Sequence, residues 1–149
     1  MALSLTLFKS QFDNQTHKTM ELESWKQFSS LLRELSKQPR KGKKDAELIS
    51  PATYKSGTTR ANKNVLSWSG WCAVDVDDYE FRDNTIRGIQ NELVDRFGRW
   101  SFICYSTASS SDAQPKFRLV FDLDNSIPQD RIKHFWFALN KELGDIGDP

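Results

Sequence analysis

Residues that could staple the chain or bind a soft metal are scarce. Two cysteines, Cys72 and Cys104, and two histidines, His17 and His134, are all that 149 residues contain. Both cysteines fall in apolar runs, which reads as buried reduced thiols in a cytosolic protein. No Cys/His set has metal spacing, and no G-x-S-x-G or P-loop occurs. The missing histidine pair argues against a rolling-circle nickase of the two-histidine type. No apolar run approaches the ~20 residues that cross a bilayer. The start, Met1 to Leu7, lacks a basic n-region and a small-residue cleavage site, so it reads as a strand and not as a signal peptide. Seven glycines and five prolines exclude a collagen-like or low-complexity chain. An excess of one charge is lacking too. Twenty-one Lys and Arg face twenty Asp and Glu, a net charge of +1, so composition alone carries no nucleic-acid signal.

Aromatic residues are plentiful: ten Phe, five Trp and three Tyr. They argue against disorder, and the length fits one domain with a real core. Leu3, Leu5 and Leu7 alternate with polar residues, which predicts a half-buried strand over residues 3–9. Polar Asn14 to Lys18 predicts a loop. Trp25, Phe28, Leu31, Leu32 and Leu35 recur three and four apart, which predicts a helix from about Glu21 to Ser36, with Pro39 beyond it. Residues 37–63 carry eight cations against two anions. They read as a long cationic loop, with a short extended piece near Leu48-Ile49.

From Ser69 the pattern sharpens. Trp71 to Asp78 reads as an apolar strand interrupted by carboxylates. Ile86, Ile89, Leu93, Val94 and Phe97 mark a helix, with Asp83 or Asn84 as N-cap and Gly98 as stop. Trp100 to Tyr105 is a short strand and Ser106 to Pro115 a hydroxyl-rich loop. Lys116 to Leu123 alternates with period two. Pro128 opens a last helix carrying Ile132, Phe135, Trp136, Leu139 and Leu143. The expected class is α+β. Residues 1–68 form an N-terminal subregion, and residues 69–149 an RRM-like, ferredoxin-like split βαβ sheet lacking its final strand. Either the chain is cut before that strand, or the strand of residues 3–9 fills its place.

Asp75-Val76-Asp77 is the sharpest motif. Alternation puts both carboxylates on one strand face, and Cys72, Val74 and Val76 on the other. Paired carboxylates repel unless a positive charge lies between them, and Mg²⁺ is typically held by one or two of them, with water and phosphate completing its shell. The plainer reading is a strand end facing water. In the strand after it, Lys116 and Arg118 share a face with Val120 and Asp122, opposite Phe117, Leu119, Phe121 and Leu123. If that face is also the Asp75/Asp77 face, one surface offers acids for metal and bases for phosphate. Five hydroxyls between Ser106 and Ser111 could nest phosphates, or form plain turns. Trp71 is assigned to the core, with Trp68 left open.

The order of these pieces resembles the archaeo-eukaryotic primase superfamily, in particular the primase-polymerase domains of phage and plasmid replication proteins. The likeness rests on "AVDVDD" ending an apolar strand, a helix, "FICYSTASSSDAQPKFRLVFDL", a second helix and "GDP", preceded by "PATYKSGTTRANKNV". It covers roughly residues 48–149. It implies a nucleotidyltransferase using two divalent cations, Mg²⁺ or Mn²⁺, with NTP or dNTP and a single-stranded DNA template. Asp75 and Asp77 match the first motif. Asp148, with Asp145 as alternative, matches the third acid; these three acids would be catalytic and metal-binding. Ser109 and Ser110 occupy the second motif, where the family carries a histidine at the place of Ser110. Lys116 and Arg118 match the basic strand that contacts nucleotide. Arg60, Lys41, Lys43 and Lys44 would track the template. The resemblance also implies a cytoplasmic replication protein in a bacterium or phage-infected host, with a helicase domain or protein as partner and no membrane. Two alternatives remain: a non-catalytic single-stranded DNA-binding or initiator module with Trp68, Trp71 and Tyr105 as stacking platforms, and a protein-interaction domain whose acids are incidental.

Overall fold

The computed structural model describes residues 3–16, 18–37 and 47–147. The fold is mixed α+β, and the described residues form three small sheets and three α-helices. Its contacts divide it into two units, Met1–Cys72 with Leu123–Ile132, and Ala73–Asp122 with Lys133–Pro149.

In the first unit, β1 (Leu3–Phe8) lies between β2 (Thr19–Leu22) and β3 (Leu48–Ser50), antiparallel to both. β1 is covered on both faces, not one. Leu3 and Leu5 are buried as the alternation requires, yet Thr6 and Phe8 on the other face are buried too. Thr6 tolerates this because its hydroxyl donates to the Ala52 carbonyl at 2.7 Å. β2 begins directly after the expected loop and takes the first two residues of the expected helix. The helix α1 (Trp25–Ser36) begins four residues later than Glu21, because Ser24 caps it by accepting from the Gln27 N–H. α1 buries Phe28 and Leu32.

The cationic stretch is more ordered than a loop from Leu48 onward. It holds β3 and β4 (Ala52–Tyr54), and β4 pairs antiparallel with β5 (Val65–Trp68). Trp71 ties this unit together. It is 1% exposed, its indole N–H donates to the Ser4 carbonyl at 2.8 Å, and its ring lies 4.8 Å from that of Phe28. Its assignment to the core therefore holds.

The third sheet has the order β6-β8-β7, built from β6 (Trp71–Val76), β7 (Phe102–Ser106) and β8 (Phe117–Asp122). From Ala73 onward it belongs to the second unit. β8 is antiparallel to β7, with Arg118 opposite Tyr105 and Leu119 opposite Cys104. Among the described residues β1 pairs with β2 and β3 alone, so it does not take the place of a further strand in this sheet. Helix α2 (Ile86–Phe97) starts at Thr85, whose hydroxyl accepts from Gly88 N–H. Asp83 is not the cap; its carboxylate accepts from the Thr85 N–H and shapes the turn before it. Phe97 of α2 makes edge-on ring contacts with Phe121 and Phe102 at 6.5 and 6.3 Å. One face of the sheet, with Phe102, Cys104, Leu119 and Phe121, thus packs under this helix. After α3 (Ile132–Glu142), Gly147 approaches Val74 so closely that a Cβ there would lie 2.8 Å from a Val74 methyl.

Candidate active site

Asp75, Asp77, Ser109, Ser110, Lys116 and Arg118 lie in the second unit, on the β6-β8-β7 sheet, just beyond β6, or in the loop joining β7 to β8. Alternation decides which face. Val74 and Val76 are buried in β6, which turns Asp75 to the opposite side. Leu119 and Phe121 pack inward on β8, which turns Arg118 outward with its register partner Tyr105.

These three side chains meet. Arg118 Nε donates to Asp75 Oδ1 at 2.5 Å, Arg118 Nη2 to Asp75 Oδ2 at 3.1 Å, and Arg118 Nη1 to the Tyr105 hydroxyl at 3.2 Å. The pair is bidentate, the strong form of a charge-assisted hydrogen bond. The Asp75 side chain keeps 42% of its exposure and Arg118 only 22%, so the carboxylate is the more accessible partner. Burial pulls the Arg118 guanidinium down, but the hydrogen bonds to Asp75 and Tyr105 and the Asp75 charge outweigh it, and it sits above its ordinary value. Burial likewise pushes the Tyr105 phenol up, against the pull of Arg118. Arg118 therefore stays charged and Tyr105 stays neutral near pH 7. Val120, between Arg118 and Asp122 on the same face, is fully buried, while on this side of β8 Arg118 is half-buried and Asp122 exposed.

Asp77 follows directly after β6 and is half-buried, with no side-chain partner among the described residues. Its backbone carbonyl accepts from Gln114 Nε2 at 2.9 Å, which ties the β7–β8 loop to the carboxylate strand. That loop is closed on itself. Ser110 Oγ accepts from Lys116 N–H at 2.9 Å, and Ser111 N–H donates to the Gln114 carbonyl at 3.2 Å. Lys116 is half-buried and Ser109 exposed. Beyond Asp77, Glu92 of α2 accepts from the Tyr79 hydroxyl and from Arg82 N–H, fixing the segment that leaves the carboxylate strand. The Tyr79 bond holds the Glu92 carboxyl below its usual range.

Several expected residues stand elsewhere or outside the description. Asp148, Lys41, Lys43 and Lys44 lie outside the described residues. Asp145 pairs with Lys141 of its own helix end at 3.1 Å. Arg60 belongs to the first unit, where its guanidinium donates to the Gln11 carbonyl and lies 5.4 Å from the Phe8 ring centre. Trp68 donates its indole N–H to Gln129, also in the first unit. Cys104 shares the face of Phe102 on β7, and burial pushes its thiol up to about 12, which keeps it protonated and a poor nucleophile at neutral pH. The positions of Gln114 and of the Tyr105 hydroxyl were not foreseen. Alternation could have placed Tyr105 on the site's face; nothing in the sequence marks Gln114.

No family model, curated protein or solved structure matches the chain. The donor set must therefore be judged by its own chemistry. Among the described residues no group of three or more metal-ligating side chains forms. Asp75 and Asp77 are a two-carboxylate, all-oxygen set next to a fixed guanidinium. That suits a hard divalent cation that leaves most of its shell to water and phosphate, as Mg²⁺ does.

Proposed function

We propose that the second unit is the catalytic sheet of a primase-polymerase, which joins nucleotides on a single-stranded DNA template. The observation that carries this reading is the convergence of Asp75, Arg118 and Tyr105 on the sheet face away from α2, with Asp77 following directly after β6. The order β6-β8-β7, with α2 linking the outer strands, supports an RRM-like split βαβ arrangement.

Asp75 and Asp77, with Asp148 by resemblance, would hold divalent cations. When bound, such cations supply Lewis-acid activation of a 3′-hydroxyl and neutralise charge on the triphosphate. Arg118 binds phosphate oxygens through its planar fork, and Tyr105 keeps that fork from swinging away. Lys116 adds a second, more mobile cation. Ser109, exposed in the loop, donates a hydroxyl, whereas Ser110 spends an acceptor site on Lys116 N–H and acts mainly to shape the loop. Lys41, Lys43 and Lys44 would track the template backbone, with Arg60 by resemblance.

A non-catalytic single-stranded DNA-binding module is the second reading. One observation favours it: Arg118 neutralises Asp75, which removes much of the repulsion that a bare acid would present to phosphate. One assay separates the two. The chain, with Mg²⁺ or Mn²⁺, is given a primed single-stranded template and labelled nucleotide. Cation-dependent, template-directed incorporation is the expected result. Salt-sensitive DNA binding that survives chelation, with no incorporation under either cation, overturns the enzymatic reading for the second one.

A further inference from the structure

We propose that Asp75 is a built-in competitor for the anion site of Arg118, so that this face takes polyphosphate tightly only when a divalent cation has claimed the Asp75 carboxylate. The inference rests on the reading that the face binds a cation-bound polyphosphate, and it adds how the two are coupled.

Arginine has five N–H donors in a rigid fork. Here three are in use, two on Asp75 and one on Tyr105. The side-on edge formed by Nε and Nη2 is one of the two that grip an anion bidentately, and a carboxylate of matching geometry already fills it, while Tyr105 draws on Nη1 of the other. An arriving phosphate must break two charge-assisted bonds to form two, so the exchange gains little. The displaced carboxylate also remains beside it as a like charge. Without a cation, the positive group of this face is therefore masked.

A divalent cation on Asp75 reverses both effects. The carboxylate oxygens turn to the cation, the Nε and Nη2 edge is released, and the local charge changes from balanced to positive. Tyr105 still holds Nη1, and its ring centre lies 5.8 Å from the guanidinium carbon, so the released fork stays on the face. The greater exposure of Asp75 makes the carboxylate the point of entry. Cation and polyphosphate then bind with positive coupling, and by linkage each tightens the other equally.

The test is calorimetric titration of pyrophosphate into the full chain in EDTA, comparing wild type with Asp75→Asn, Asp75→Ala and Arg118→Met, each checked for folding by its thermal melt. Removing the competitor should tighten cation-free binding by about tenfold or more, and combining Asp75→Asn with Arg118→Met should erase the gain. Two Asp75 variants guard against one of them misfolding. If both folded variants bind pyrophosphate no better than wild type, Asp75 positions Arg118 instead of competing for it, and the proposal falls. The cation–polyphosphate reading then survives only if wild type with Mn²⁺ still binds pyrophosphate through Arg118. If no form binds it with dependence on Arg118, with or without Mn²⁺, both fall.

Discussion

Changing Asp75 and Asp77 together to alanine is expected to reduce template-directed incorporation at least about a thousandfold, while the chain keeps its fold. A cation that activates a hydroxyl and neutralises a triphosphate contributes several kcal/mol at the transition state, and each 1.36 kcal/mol is tenfold in rate. Asp75 lies in β6 on the side away from Val74 and Val76, and Asp77 is half-buried just beyond the strand's end, so the buried valines keep their packing. The loss of Asp75 frees Arg118 but leaves it bonded to Tyr105. Rates by primer extension, with circular dichroism of the variant, check this. A folded double variant retaining a tenth or more of wild-type activity would place the chemistry elsewhere.

Replacing Trp71 by alanine should lower the unfolding free energy by roughly 3–5 kcal/mol, the usual cost of truncating a buried aromatic to alanine. A domain's whole stability is about 5–15 kcal/mol, so the change removes a large share of it. Two losses combine. The ring leaves a cavity beside Phe28, and the Ser4 carbonyl loses its indole donor. Trp71→Phe separates them, because it keeps most of the packing and forfeits the hydrogen bond. Its expected cost is smaller, about 1–3 kcal/mol. Urea unfolding followed by circular dichroism measures both. A Trp71→Ala chain within about 0.5 kcal/mol of wild type, the range of an ordinary surface change, would contradict the keystone role.

The site was more legible than the scaffold around it, for a physical reason. Period-two alternation in "AVDVD" and "KFRLVFD" fixes which side chains share a face, and burial of Val74, Val76, Leu119 and Phe121 follows that rule. Alternation could not give the register, and the register is what puts Arg118 beside both Asp75 and Tyr105. In the first unit the same rule misled. Thr6 is polar by type yet buried, because a long-range bond to the Ala52 carbonyl satisfies its hydroxyl. β2, β4 and β5 are three or four residues long and owe their form to pairing partners, not to their own composition. Thr85, not Asp83, caps α2, because Asp83 is engaged in the turn just before it.

The central claim is that the Asp75, Asp77 and Arg118 face holds a cation together with a polyphosphate, and Mn²⁺ titration followed by electron paramagnetic resonance tests it most directly. In the presence of a nucleoside triphosphate, wild type should remove more free Mn²⁺ signal than the nucleotide does alone. Asp75→Ala/Asp77→Ala should abolish the excess and Arg118→Met should reduce it. Equal uptake by wild type and the folded double variant would contradict the account.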